Sequence, residues 1–228
     1  MKPLHIDRSA HQPAMRKTFA LLAFVLTLCT ANMARAQYRM AAAKYDDAVY
    51  VGIQPDTFRY FASPQHNSNW CWAASLQMIF NYYGIDITQE QIVARSYGLN
   101  SNGPLPNCTG NWEVITANLN NWSVDNDGRQ YIVRAVFNPG PPDPNYLIEQ
   151  LSLKRPILIG YQSGPNSGHA VVITGCSYTE GYYGPVIQSI VVSDPWPSDY
   201  NIAHEGRRVW RGAQLANLIK GHWYIVVQ

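Results

Sequence analysis

Apolar residues recur at helical spacing after Cys71. Ala74, Ser75, Met78 and Tyr82 share its face, and Leu76, Ile79, Phe80 and Tyr83 fill the others. A helix apolar nearly all round is one buried through a domain centre, and Gly84 supplies its stop. Thr88-Gln89-Glu90-Gln91 is a capping box that opens a second helix ending near Gly98. Residues 99–110 are polar and rich in turn formers, a surface loop. A third helix is expected over 112–122, with Trp112, Ile115 and Leu119 along one stripe. Asn138-Pro139-Gly140-Pro141-Pro142-Asp143-Pro144 is the strongest break in the chain. Beyond it Asp143 can cap, and Pro144 can open, a short helix through Leu153. Strands are expected at 48–53, 130–137, 156–161, 170–177, 186–193 and 223–227, with a short helix near 212–219. Helices gather in the first half and strands in the second, an α+β pattern rather than alternating βαβ units. The expected layout is an N-terminal helical lobe holding the Cys71 helix, packed on a C-terminal antiparallel sheet lobe.

The first 36 residues change the picture of the rest. Arg16-Lys17 precede an apolar run from Phe19 to Leu28, and Ala34-Arg35-Ala36 stands before Gln37. That is the pattern of a secretory signal peptide, and the run is shorter than the roughly 20 residues of a spanning helix. The chain divides into a signal peptide (1–36), a lead-in (37–62) and one catalytic-sized domain (63–228). Either Met1 or Met15 could be the start. Export to the periplasm or the medium is expected, with no stable membrane insertion after cleavage. Residues 37–228 carry 12 basic and 14 acidic residues and no basic run, so nucleic acid is not an expected partner.

Candidate chemistry centres on Gln65-His66-Asn67-Ser68-Asn69-Trp70-Cys71-Trp72-Ala73-Ala74-Ser75. A thiol attacks as its thiolate, and the unpaired N–H groups of a first helical turn favour that anion. Gln65 could offer a side-chain amide to an oxyanion beside the Cys71 N–H. Further on, His169 begins an apolar strand and Asp194 ends another, with the turn-rich stretch 179–184 between. A hairpin folded about the middle of that turn sets His169 and Asp194 opposite each other, close enough for the carboxylate to orient the imidazole. A Cys on a helix is commonly a small buried hydrophobe, and an Asp before Pro commonly starts a turn. Gln, helix-start Cys, pre-strand His and post-strand Asp in one order favour the catalytic reading.

Residues 65–75 and the later His and Asp resemble the papain-like cysteine peptidases, with Gln six before Cys and the run Cys71-Trp72-Ala73-Ala74-Ser75. The likeness spans about residues 63–196. It is nearest to compact bacterial secreted members of the plant-pathogen effector type, and more distant from bacteriocin-leader peptidases. The resemblance implies the papain-like fold, with Cys71 as nucleophile, His169 as base, Asp194 as its orienter and Gln65 in the oxyanion hole. Trp196 matches the aromatic that packs near the base. Asn69-Trp70 stands where plant papains have Gly-Ser, and Asp replaces the usual Asn.

Cys71, Cys108 and Cys176 remain after residue 36. With Cys71 reserved for catalysis, a Cys108–Cys176 disulfide is one option and two buried thiols the other. His66, His204 and His222 lack metal-ligand spacing, so neither metal nor cofactor is expected. The expectation is a monomeric thiol protease acting on a peptide or protein. The same triad would also serve an acyltransferase of transglutaminase type or a cell-wall peptide hydrolase, and the same fold a catalytically silent binding module.

Overall fold

The computed structural model describes residues 47–98, 103–196, 206–211 and 217–228. The expected signal peptide and Met15 lie outside these residues. In chain order the elements are β1 (Val49–Gly52), α1 (Pro55–Phe58), α2 (Cys71–Tyr82), α3 (Gln89–Tyr97), α4 (Trp112–Asn120) and β2 (Val133–Pro139). There follow α5 (Pro144–Ser152), β3 (Ile157–Gly164), β4 (Ser167–Gly181), β5 (Gly184–Ser193), β6 (Arg207–Arg211) and β7 (Ile219–Val227). The strands form one seven-stranded sheet in the order β2-β7-β3-β4-β5-β6, with β1 also on β4 and every pairing antiparallel.

The sheet is covered on both faces, and strand periodicity explains how. Leu158, Ala170 and Val172 face a core they share with α2, α3 and α4, while Ile157, Ile159, Val171 and Ile173 face a second core under α5. Successive residues of β3 and β4 thus serve opposite layers, which is why both strands read as continuous apolar runs. α2 runs through the first core with Trp72, Leu76, Met78, Ile79 and Phe80 buried. Ser75 Oγ donates to the Ala170 carbonyl (3.1 Å), pinning this helix to β4. Gly84, at φ 74°, closes the turn after α2 as expected. The Thr88–Gln91 capping box is formed, and Asp143 caps α5. This is the α+β, papain-like layout, a helical layer against an antiparallel sheet, with α5 added on the far side.

The strand expected at 48–53 forms and ties the lead-in to the sheet. Val49–Gly52 pairs with Gly175–Tyr178 of β4, and Ile53 and Phe58 are core residues, so the compact unit starts at Ala48. Several expectations change. The anticipated turn at 179–184 is mostly strand: β4 and β5 pair out to Gly181 and Gly184, leaving only Tyr182-Tyr183 as the loop. Ladder pairing overrides the turn propensity of Thr179, Glu180 and Gly181. β6 was not anticipated, because Arg207-Arg208-Val209-Trp210-Arg211 has too few apolar residues to read as a strand. Ile219 opens β7 rather than ending a helix, and 212–216 fall outside the described residues.

Candidate active site

Cys71 is the first residue of α2, and no side chain caps that helix start. The loop 103–110 packs over it as a strap. Trp70 Nε1 donates to the Pro106 carbonyl and Trp72 Nε1 to the Cys108 carbonyl, both at 3.1 Å. Asn69 donates two 3.0 Å bonds to Asn107, from its backbone N–H to the side-chain oxygen and from its amide to the carbonyl. Gly110 lies flat on the Trp72 ring, where a Cβ would come within 2.4 Å of it. Two indole N–H groups thus fix where the helix begins, and with it the half-buried Cys71 thiol. Cys71 and His169 together line an open cleft of about 690 Å³, whose walls include Trp72, Gly110, Trp112 and Trp223.

His169 lies near the start of β4, opposite Tyr161 of β3. Its Nε2 is 2.6 Å from Asp194 Oδ1, which leaves Nδ1 as the nitrogen for Cys71, the ring's other side-chain hydrogen-bond partner. Burial disfavours the charged ring, but the Asp194 and Cys71 partners outweigh it and push the His169 pKa up to about 9. The imidazole is therefore held as imidazolium at neutral pH, beside a sulfur whose anion it can stabilise. Tyr161 and Trp196 meet the imidazole edge to face, at 5.6 and 6.2 Å between centroids. Asp194 is almost fully buried, and its Oδ1 also accepts from the Trp196 N–H (3.0 Å). Its role in the turn and its contact with His169 therefore coexist on one oxygen. Oδ2 faces Arg208 Nε at 3.6 Å.

Gln65 stands in the segment that leads into α2. It is buried, and its amide nitrogen donates to the Asn67 and Ser68 carbonyls, both at 2.8 Å. Both amide hydrogens are thus engaged in holding the segment that enters α2, while Oε1 is buried without a partner. Its backbone N–H donates to the Pro195 carbonyl (2.8 Å), tying it to the residue after Asp194.

The disulfide option is corrected: Cys71, Cys108 and Cys176 are all free thiols. Cys108 belongs to the strap over α2. Cys176 is buried in the core on the α5 side of the sheet, its thiol pushed up to about 12 by burial. Among the described residues no group of His, Cys, Asp and Glu is arranged to hold a metal ion. His66 pairs with Glu90 (2.6 Å), His222 Nδ1 meets the Gly140 carbonyl (2.8 Å), and His204 lies outside the described residues. Sequence reasoning missed Tyr161, Arg208 and the strap. Their only signal was an aromatic in a strand, an Arg in an unread strand and a cluster of turn formers.

The sequence profile of the Peptidase_C39 like family matches residues 56–214. No curated protein matches the chain. Among solved structures, the peptidase domain of Streptococcus ComA, a bi-functional ABC transporter involved in a quorum sensing pathway, is similar at TM-score 0.48 and 13% identity. That match covers 72% of this chain and 96% of the other. Digestive procathepsin L2 proteinase from Tenebrio molitor larval midgut is similar at TM-score 0.39 and 15% identity, covering 95% of each chain. The match over residues 56–214 takes in Cys71, His169 and Asp194, and with it the chain belongs to the Peptidase_C39 like family and is a cysteine-type peptidase.

Proposed function

We propose that this peptidase is an exported enzyme that hydrolyses peptide bonds through a Cys71–His169–Asp194 triad and an acyl-enzyme. The observation that carries the reading is one imidazole shared by two partners, Asp194 at 2.6 Å on Nε2 and Cys71 on its other side, at the wall of an open cleft. In this mechanism the thiolate adds to the scissile carbonyl carbon. The oxyanion is taken by the Cys71 N–H at the uncapped start of α2, and by Gln65 once it releases one of its two loop carbonyls. His169 then gives its proton to the departing amine as the C–N bond breaks, leaving a thioester on Cys71. Water, deprotonated by the now neutral His169, adds to the thioester and releases the acid. Asp194 keeps Nε2–H engaged throughout, so the imidazole turns neither away from the sulfur nor into the wrong tautomer.

Export is supported by Arg16-Lys17, the apolar run 19–28 and Ala34-Arg35-Ala36. The likeness of residues 65–75 to secreted effector proteases points the same way. The enzyme works as a monomer on a peptide or protein, without nucleic acid. Among the described residues no helix is long and apolar enough to cross a membrane.

The test is an acid quench of the purified chain with a peptide pool, followed by mass spectrometry. An acyl adduct on Cys71, cleaved products, and neither in Cys71→Ala are expected. Amide products formed with added amine in place of acids would turn the reading toward acyl transfer. Absence of any Cys71 adduct would overturn the nucleophile assignment.

A further inference from the structure

We propose that Arg208 is a positioning residue for the reaction, acting on His169 through Asp194; this rests on the triad reading above. Strand register brings it there. β6 pairs with β5 so that Arg208 lies opposite Val192 and Arg207 opposite Ser193. Side chains alternate between faces, so Arg208 shares a face with Val192 and with Asp194 two residues further on. The Asp194 N–H donates to the Gly206 carbonyl (2.9 Å), which extends the same ladder past the end of β5 and holds the two residues as diagonal neighbours.

The carboxylate's two oxygens then have separate duties. Oδ1 meets His169 Nε2 (2.6 Å) and accepts from the Trp196 N–H (3.0 Å), while Oδ2 meets the Arg208 guanidinium (3.6 Å). A carboxylate this buried is unfavourable unless its charge is matched. During the cycle His169 gives up its proton, and for that interval the imidazole no longer matches it. Arg208 supplies a constant charge opposite the carboxylate and keeps its Oδ1 turned toward the ring. It also draws on the same negative charge, so the imidazolium is held less tightly than by Asp194 alone and gives up its proton more readily. Among the described residues, the groups facing His169 are Cys71 from α2, Tyr161 from β3, and Asp194 with Trp196 after β5. Arg208 reaches that set through Asp194.

The test compares Arg208→Gln, Arg208→Lys and Asp194→Asn, singly and as the Arg208→Gln/Asp194→Asn pair, in the full chain across a pH series. Arg208→Gln should lower kcat roughly fivefold with KM unchanged, about the effect of one partly exposed charge contact. It should also move the alkaline limb of kcat/KM upward by about half a pH unit, because the undivided carboxylate holds the imidazolium proton longer. Arg208→Lys should restore both. In the Asp194→Asn background, Arg208→Gln should change neither. A limb that stays or moves down in Arg208→Gln, or an undiminished effect in the Asp194→Asn background, would overturn the proposal. Wild-type activity in Asp194→Ala would instead overturn the triad reading. Should Arg208→Gln fail to fold, Arg208→Met takes its place, with the same expected limb shift and the same refuting outcomes. A ¹³C-histidine titration in the Cys71→Ala chain gives the same comparison without activity.

Discussion

Asp194 reaches His169 on the diagonal of the hairpin, not straight across it. Val172 pairs with Ser193, so the continued ladder sets Asp194 opposite Val171, two residues from His169 on the same face. Diagonal neighbours stand roughly 7–8 Å apart at the backbone, and two inward-leaning side chains close that to the observed 2.6 Å. Asp194→Ala should therefore impair catalysis by freeing the imidazole, yet leave the Cys71–His169 contact available. We expect a fall in kcat/KM smaller than that of Cys71→Ala, with cooperative unfolding retained. Equal losses in the two variants would mean that Asp194 does more than orient.

Cys71→Ala and Cys71→Ser should abolish turnover without unfolding the chain. The thiol is half-buried at the cleft wall, so truncation leaves no closed cavity, and a hydroxyl is a far weaker nucleophile than a thiolate. Thermal melts near wild type, with no product and no labelling at position 71 by a thiol-directed inhibitor, are the expected results. Measurable turnover in the Ala variant would remove Cys71 from the mechanism.

The pH dependence follows from His169. Burial works against the charged ring, but Asp194 and Cys71 raise its pKa from 6.5 to about 9. A group raised on folding stabilises the fold fully below its unfolded value, and this contribution is lost as pH climbs through the folded value. Stability from His169 should thus be complete below about pH 6.5 and gone above about pH 9. The alkaline limb of kcat/KM should fall near pH 9, and Asp194→Asn should move it down by removing the leading favourable partner. An alkaline limb near pH 6.5 in the wild type would contradict this arrangement.

Thiol chemistry should separate the three cysteines. In the native chain Cys71 should alkylate fastest. Cys176, pushed up to about 12 in the core, should react only after unfolding. Peptide mapping without reductant should find Cys108 and Cys176 as free thiols. A Cys108–Cys176 cross-linked peptide would contradict the structure directly, since the two residues belong to opposite sides of the sheet.

Gly110→Ala tests the strap. Its Cβ would lie 2.4 Å from the Trp72 ring, and Trp72 is buried and hydrogen-bonded to the Cys108 carbonyl, so it cannot swing away. Overpacking of this kind costs about 1–3 kcal/mol. A lower melting temperature and a raised KM are expected, because Gly110 is also part of the cleft wall. Unchanged values of both would show that the strap yields without disturbing α2.

Much of this protein is local, and what is local could be read from the chain. The buried helix after Cys71, the Thr88–Gln91 box, the Asp143 cap and the apolar runs of β3, β4 and β5 each follow from spacing and propensity within a dozen residues. Cys71, His169 and Asp194 could be singled out as candidates for the same reason: each sits at the end of an element whose pattern is strong. Tertiary structure decided what no local pattern encodes. Ladder pairing shortened the hairpin loop to Tyr182-Tyr183, which moved Asp194 off the direct register, and it made a strand of Arg207–Arg211 that brings Arg208 to the carboxylate. The hydrogen bonds taken by Gln65, and the separation of Cys108 from Cys176, depend on which surfaces meet across the sheet. Such contacts join residues distant along the chain, so their geometry is set by packing and register rather than by the preferences of any one segment.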